Sequence, residues 1–368
     1  MSEKESGRQI YIDILKIVAM AMVFYVHTGM RAMHHYQIAG GSSSYWISIL
    51  FNVLASAGPT VFFFISGGLL LNKEEDLKTV LVKRVLRYAV LLILFKLIQL
   101  IILLMTNPAY AEIPEYKENL FGTVLKVLYS DRIIEQYWFL HAYLGFLLML
   151  PFLRMMVQKL KEEFFVYLII LYLVINEVLM IVEYYWESPR INLDMPFFEL
   201  GLVVPCIGYY FVNRFKERTK DWRYMIPINV LGISFIIFDT YYSNMQYRET
   251  GNLSSLYGTG VVTAIVLFCD IKAVCDLKKS YPKWLTAIVS CIALGSLLTF
   301  LMDPQIHSWT LPVYEFIEGK TNWIIAVCAW AVCGLAIGVL IAWLLRLIPF
   351  VGILFGAKPR RQNKSAAK

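Results

Sequence analysis

Residues 8–29 read RQIYIDILKIVAMAMVFYVHTG, an apolar helix that starts in basic residues and carries three polar groups a purely structural span does not need. Asp13, Lys16 and His27 sit in a run otherwise built from Ile, Leu, Val, Ala, Met, Phe and Tyr. Lys16 and His27 are eleven residues apart, and eleven steps of about 100° return to within roughly 20° of the starting direction. They share one stripe of the helix, about 16 Å apart along its axis, with Asp13 about one turn below the lysine. A charge inside a membrane helix is costly and faces the protein interior, so this stripe is the first functional candidate. A snorkelling lysine and a packing histidine would give the same pattern, and the stripe alone does not separate the two readings.

Around this helix the composition fixes the class. The 368 residues are 58% hydrophobic and 17% charged, which no soluble chain of this length resembles. The first apolar run carries an acid near its start and no A-x-A-like cleavage site after it, so it reads as a retained span rather than a signal peptide. Apolar runs and breakers predict an all-α polytopic integral membrane protein of about ten transmembrane helices. They lie near 10–28, 47–71, 87–105, 137–153, 164–182, 196–212, 224–240, 256–271, 285–302 and 323–348. With the N-terminus inside, the inner segments hold 26 of the 34 basic residues and the outer segments 7, with Lys96 inside a span. That asymmetry predicts both termini on the cytoplasmic side. Residues 1–350 then form one transmembrane domain, and 351–368 a basic cytoplasmic tail. The net charge of +7 lies in short clusters between spans, a topological pattern that speaks against nucleic acid.

The six cysteines fall in predicted spans or inner turns, and no Cys/His spacing suggests a disulfide or a metal. His34 and His35 are adjacent in an outer loop with no further ligand nearby, which is weak metal evidence. The largest outer loop, about 106–136, reads as a solvated connector with room for a short surface helix. No internal repeat or inverted half-to-half symmetry of the transporter type is present.

Five stretches, taken in order, resemble one family. They are the Lys16-to-His27 spacing, the FFFISGGLLL ending at 62–71, KRVLR at 83–87, YWFLHAYLGFLLMLP at 137–151 and PFFELG at 196–201. The set is similar to membrane-bound acyltransferase family 3, which includes bacterial O-acetyltransferases of surface polysaccharide and peptidoglycan. The resemblance implies movement of an acyl group, usually acetyl, from cytoplasmic acyl-CoA to a hydroxyl of a cell-envelope glycan or lipid-linked sugar outside a bacterial inner membrane. Acyl-CoA is then a co-substrate, with no permanently bound cofactor and no metal. One departure comes late. Where many members end a span in Tyr-Leu-Ile-His, this chain reads LGSLLTFLMDPQIH, with Asp303 near the position of that histidine and His307 four residues on, neither with an assigned role.

On this reading His27 is the catalytic residue, a base for the acceptor hydroxyl or a carrier of the acyl group. Asp13 is a second catalytic candidate that equally serves to neutralise Lys16. Lys16, Lys83, Arg84 and Arg87 are donor-binding candidates, because guanidinium forks pair phosphate oxygens bidentately. The positive-inside rule explains the KRVLR cluster too. Trp138, His141 and Glu199 are acceptor-side candidates, with aromatic-belt anchoring an equal account of Trp138. Gly67 and Gly68 read as close helix packing rather than a phosphate cradle. The alternatives are a polysaccharide exporter or small-molecule transporter without acyl transfer, and a membrane sensor or anchor. The short inner segments offer no effector domain for a sensor. A homo-oligomer is left open.

Overall fold

The computed structural model of the chain describes residues 9–39, 43–106, 119–129, 137–186, 200–256, 258–278 and 280–348. Among these residues every regular element is helical. In chain order they are α1 (Ile10–Val26), α2 (Ser43–Ala55), α3 (Gly58–Leu70), α4 (Leu77–Val80), α5 (Arg87–Thr106), α6 (Leu120–Tyr129) and α7 (Trp138–Lys159). They continue as α8 (Glu162–Leu173), α9 (Leu179–Trp186), α10 (Leu200–Tyr209), α11 (Trp222–Thr250), α12 (Thr259–Asp276), α13 (Lys283–Leu301), α14 (Asp303–Glu318) and α15 (Trp323–Leu347). π-Helical turns at Leu81–Leu86, Val174–Val178 and Tyr210–Phe215 join or extend α4–α5, α8–α9 and α10.

Among the described residues, helices lie in each of the ten stretches expected to span, residues 196–199 of the sixth falling outside them. Seven are long and apolar enough to cross a membrane: Ser43–Leu70, Leu77–Thr106, Trp138–Lys159, Glu162–Trp186, Trp222–Thr250, Lys283–Leu301 and Trp323–Leu347. The other three stretches hold shorter or more polar helices. α1 has 17 residues, α10 has 10 before its π turn, and α12 carries Asp270, Lys272 and Asp276 within its 18. The stretch predicted as one span at 47–71 corresponds to Ser43–Leu70, whose helical segments α2 and α3 meet at a short turn. There Ser56 Oγ bonds back to the Asn52 and Val53 carbonyls at 2.9 and 2.8 Å, and Pro59 opens α3.

The chain divides into two compact units, residues 1–73 with 153–343 and residues 74–152 with 344–368. In the first, α1 packs against α2, α3, α12 and α13, and α3 lies along α10. The α3–α10 crossing is set by glycine: a Cβ on Gly67 would overlap the backbone of Pro205, and one on Gly208 the backbone of Phe64. Lipid tails are as apolar as leucine, so such close van der Waals approach, rather than exclusion from water, holds neighbouring spans together. The last carbonyls of α3 are met by side chains. Asn213 Nδ2 donates to Gly68 O at 2.9 Å, Arg154 Nε to Leu70 O at 3.0 Å and Gln158 Nε2 to Leu71 O at 3.1 Å. In the second unit α5 packs against α6, and Tyr88 meets Tyr143 of α7 with ring centroids 4.8 Å apart.

Candidate active site

α1 stops at His27, which sits at its C-cap with φ −87° and ψ 4°, outside the helical ladder. Thr28 and Gly29 end the helix. Thr28 Oγ1 donates to the Tyr25 carbonyl at 2.6 Å and accepts from the Met33 amide at 3.0 Å. Gly29 then takes φ +57°, a conformation glycine enters without steric cost. Because the helix ends here, the imidazole of His27 projects from the end of α1, where the partial negative charge of the helix terminus favours a cation.

His27 Nδ1 lies 2.6 Å from Oδ2 of Asp303. Asp303 is the first residue of α14, with Pro304 behind it setting the helix start. Its side chain is buried at 1% exposure, against 17% for His27. An ionised Asp303 can only accept, which puts the proton on Nδ1, and the helix N-terminus stabilises that negative charge. Nε2 of His27 has no hydrogen-bond partner among the described residues. The pair has the form of a general base with an orienting acid: one ring nitrogen fixed, the other free to take a proton.

A second histidine stands on the other side of Asp303. His307 Nδ1 is 3.1 Å from the Asp303 carbonyl and 3.3 Å from Oδ1, and Nε2 is 3.0 Å from the Phe24 carbonyl of α1. Its ring stacks on Phe24 at 3.8 Å and meets Trp330 of α15 edge-on at 5.1 Å. α15 comes this close because Gly334 has no Cβ; one there would overlap the Phe24 ring. Tyr314 braces the assembly from above, its hydroxyl 2.8 Å from the Arg31 carbonyl and from Glu318.

The other expected residues stand elsewhere. Asp13 is buried; it accepts from Ser290 Oγ of α13 at 3.0 Å and lies 3.7 Å from Lys16 Nζ. Fourteen residues of helix, roughly 21 Å, separate it from His27, so the two do not address the same reacting atoms. Lys83 and Arg84 lie in the Leu81–Leu86 π turn, and Arg87 opens α5. Lys83 is exposed, while the Nε–Nη2 edge of the Arg84 guanidinium donates bidentately to the Glu75 carboxylate. Trp138 is exposed at the start of α7 and His141 is half-buried one turn on. Glu199 lies outside the described residues. His34 and His35 turn to separate partners, His34 to the Tyr36 hydroxyl and His35 onto Trp323, and burial lowers the His35 pKa below its ordinary value. Among the described residues no three His, Cys, Asp or Glu side chains gather as a metal site.

A family model described as an acyltransferase domain matches residues 9–347. The chain belongs to acyltransferase family 3. No curated protein and no solved structure matches it. The matched domain makes the chain a membrane acyltransferase, and the open Nε2 of His27 is a group chemically able to take a proton. Spacing within one helix pointed to His27 but could not find its partner. Asp303 is 276 residues away, and only its oddity in the family pattern marked it. Glu75, the occupant of Arg84, gave no signal beyond lying nine residues upstream.

Proposed function

We propose that this acyltransferase moves an acyl group, most simply acetyl, from cytoplasmic acyl-CoA to a hydroxyl of a cell-envelope glycan or lipid-linked sugar outside a bacterial inner membrane. In this reading about ten spans cross the bilayer with both termini cytoplasmic. The observation that carries the proposal is the His27–Asp303 pair with Nε2 left open.

The acceptor oxygen attacks the thioester carbonyl carbon while His27 Nε2 takes the hydroxyl proton. Asp303 holds the imidazolium that forms, and the C-terminal end of α1 adds to its stabilisation. When the tetrahedral intermediate collapses, the carbon–sulfur bond breaks, and the CoA thiolate takes the proton from His27. The same open nitrogen also suits a two-stage route, in which Nε2 accepts the acyl group and passes it to the acceptor. Lys83, Arg84 and Arg87 are the groups suited to the phosphates of CoA, and Lys16 is a further donor-binding candidate.

Purified protein in nanodiscs with radiolabelled acetyl-CoA tests this, with wild type beside His27→Ala and Arg84→Ala. Donor binding lost in Arg84→Ala, and turnover lost in His27→Ala with binding intact, is the expected result. A folded wild type that binds no acyl-CoA would overturn the reading.

A further inference from the structure

Both ring nitrogens of His307 face oxygen acceptors: Nδ1 the carbonyl and carboxylate of Asp303, Nε2 the carbonyl of Phe24. A carbonyl oxygen has no proton to give, so each contact requires an N–H on the ring, and a neutral imidazole has only one. We propose that His307 is a standing imidazolium, the counter-ion that keeps buried Asp303 ionised, and so a positioning residue that holds the proton of His27 on Nδ1. This rests on the reading of His27 as the base.

Two further observations agree. The His307 ring lies flat on Phe24 with centroids 3.8 Å apart and 21° between planes, and Trp330 closes another side. An aromatic face attracts a cation, and in a site shielded from water that attraction is strengthened. Asp303 is 0% exposed, and among the described residues no other cation lies beside it. An ionised carboxylate so buried needs a compensating charge, which a neutral His27 does not supply. Asp303 and His307 together are neutral, leaving His27 uncharged and ready to accept.

The consequence of removing the charge is specific. Without an imidazolium beside it, Asp303 takes a proton and becomes a donor toward His27 Nδ1. The His27 proton then moves to Nε2, and the base is blocked. The other titratable groups on the surrounding elements are otherwise engaged. Arg31 pairs with Glu315, Tyr25 donates to the Ala32 carbonyl, and Tyr314 meets the Arg31 carbonyl and Glu318. On α15 only Cys328 and Cys333 titrate within this unit.

The chain has five histidines, few enough to assign by nitrogen-15 NMR of histidine-labelled protein in nanodiscs using single substitutions. At pH 8 the His307 signals should show protons on both nitrogens, and those of His27 a proton on Nδ1 alone. A neutral His307 in wild type overturns the proposal. In the kinetic arm, His307→Gln should lower kcat about 10- to 100-fold with unchanged KM for both substrates. Activity should return as pH is raised and Asp303 ionises. His307→Lys, which keeps the charge, should recover part of kcat at pH 8, an outcome a packing role does not produce. Wild-type kcat and pH profile in His307→Gln would overturn the proposal. A wild type with a doubly protonated His307 but no acyl transfer would instead overturn the functional reading and leave this charge assignment standing.

Discussion

His27 and Asp303 meet Nδ1 to Oδ2 at 2.6 Å, joining the last turn of α1 to the first residue of α14. A histidine at a helix C-terminus and an aspartate at a helix N-terminus each sit at the end of the dipole that favours their charged form. The arrangement therefore favours the ion pair that proton transfer creates.

Asp303→Asn should test that relationship directly. An amide can turn its NH2 toward His27 and select the wrong tautomer, so kcat should fall about 10²- to 10⁴-fold while acyl-CoA binding holds. Steady-state kinetics beside equilibrium donor binding separates the two effects. Equal loss in both would place Asp303 in the architecture alone.

The two acyl-transfer routes differ in what they leave on the protein. If Nε2 carries the acyl group, wild type given radiolabelled acetyl-CoA without acceptor should retain label on a peptide containing His27, released by hydroxylamine. Direct transfer leaves none. His27→Ala should be silent in both cases.

Glu75 occupies the Arg84 fork and competes with any phosphate for it. Glu75→Gln removes that competitor and its repulsion of an anion, so acyl-CoA should bind roughly 2- to 10-fold tighter, with a steeper salt dependence. Arg84→Ala should weaken binding. Isothermal titration across a salt series reads both, and weaker binding in Glu75→Gln would remove Arg84 from the donor site.

Gly67→Ala places a methyl group against the Pro205 backbone, which cannot move aside as a side-chain tip can. The cost should be about 1–3 kcal/mol, seen as a lower melting temperature in nanodiscs. Gly145→Ala, where nothing lies within 4 Å of the added carbon, is the matched control and should be near neutral.

What could be read from sequence follows how far each signal travels along the chain. Helices over 10–28 or 323–348 announce themselves in a continuous apolar run, and the Lys16–His27 stripe lies within one helix, so local periodicity reveals both. The turn at Ser56 inside the span Ser43–Leu70 has no sequence signal, because a serine bonding back to its own helix looks like any small residue in a span. α14 falls between the spans predicted at 285–302 and 323–348, since Pro304, Pro312 and its polar residues break the apolar pattern even though Asp303, His307 and Thr310 are buried. Glycine spacing did point to close packing, and Gly67 and Gly68 lie against α10 and its π turn. The pairing of His27 with Asp303 depends on helices from opposite ends of the chain coming together, and no local pattern encodes that.

That separation has a bearing on biosynthesis. While the first helices are entering the membrane, the ribosome has yet to make Asp303, and the nascent protein bears a lone histidine with neither its orienting acid nor a fixed proton. On the proposed reading of His27 as the base, competence arrives only when the final third of the polypeptide has been inserted and docked against its beginning. Enzymatic output would then be a report on complete assembly.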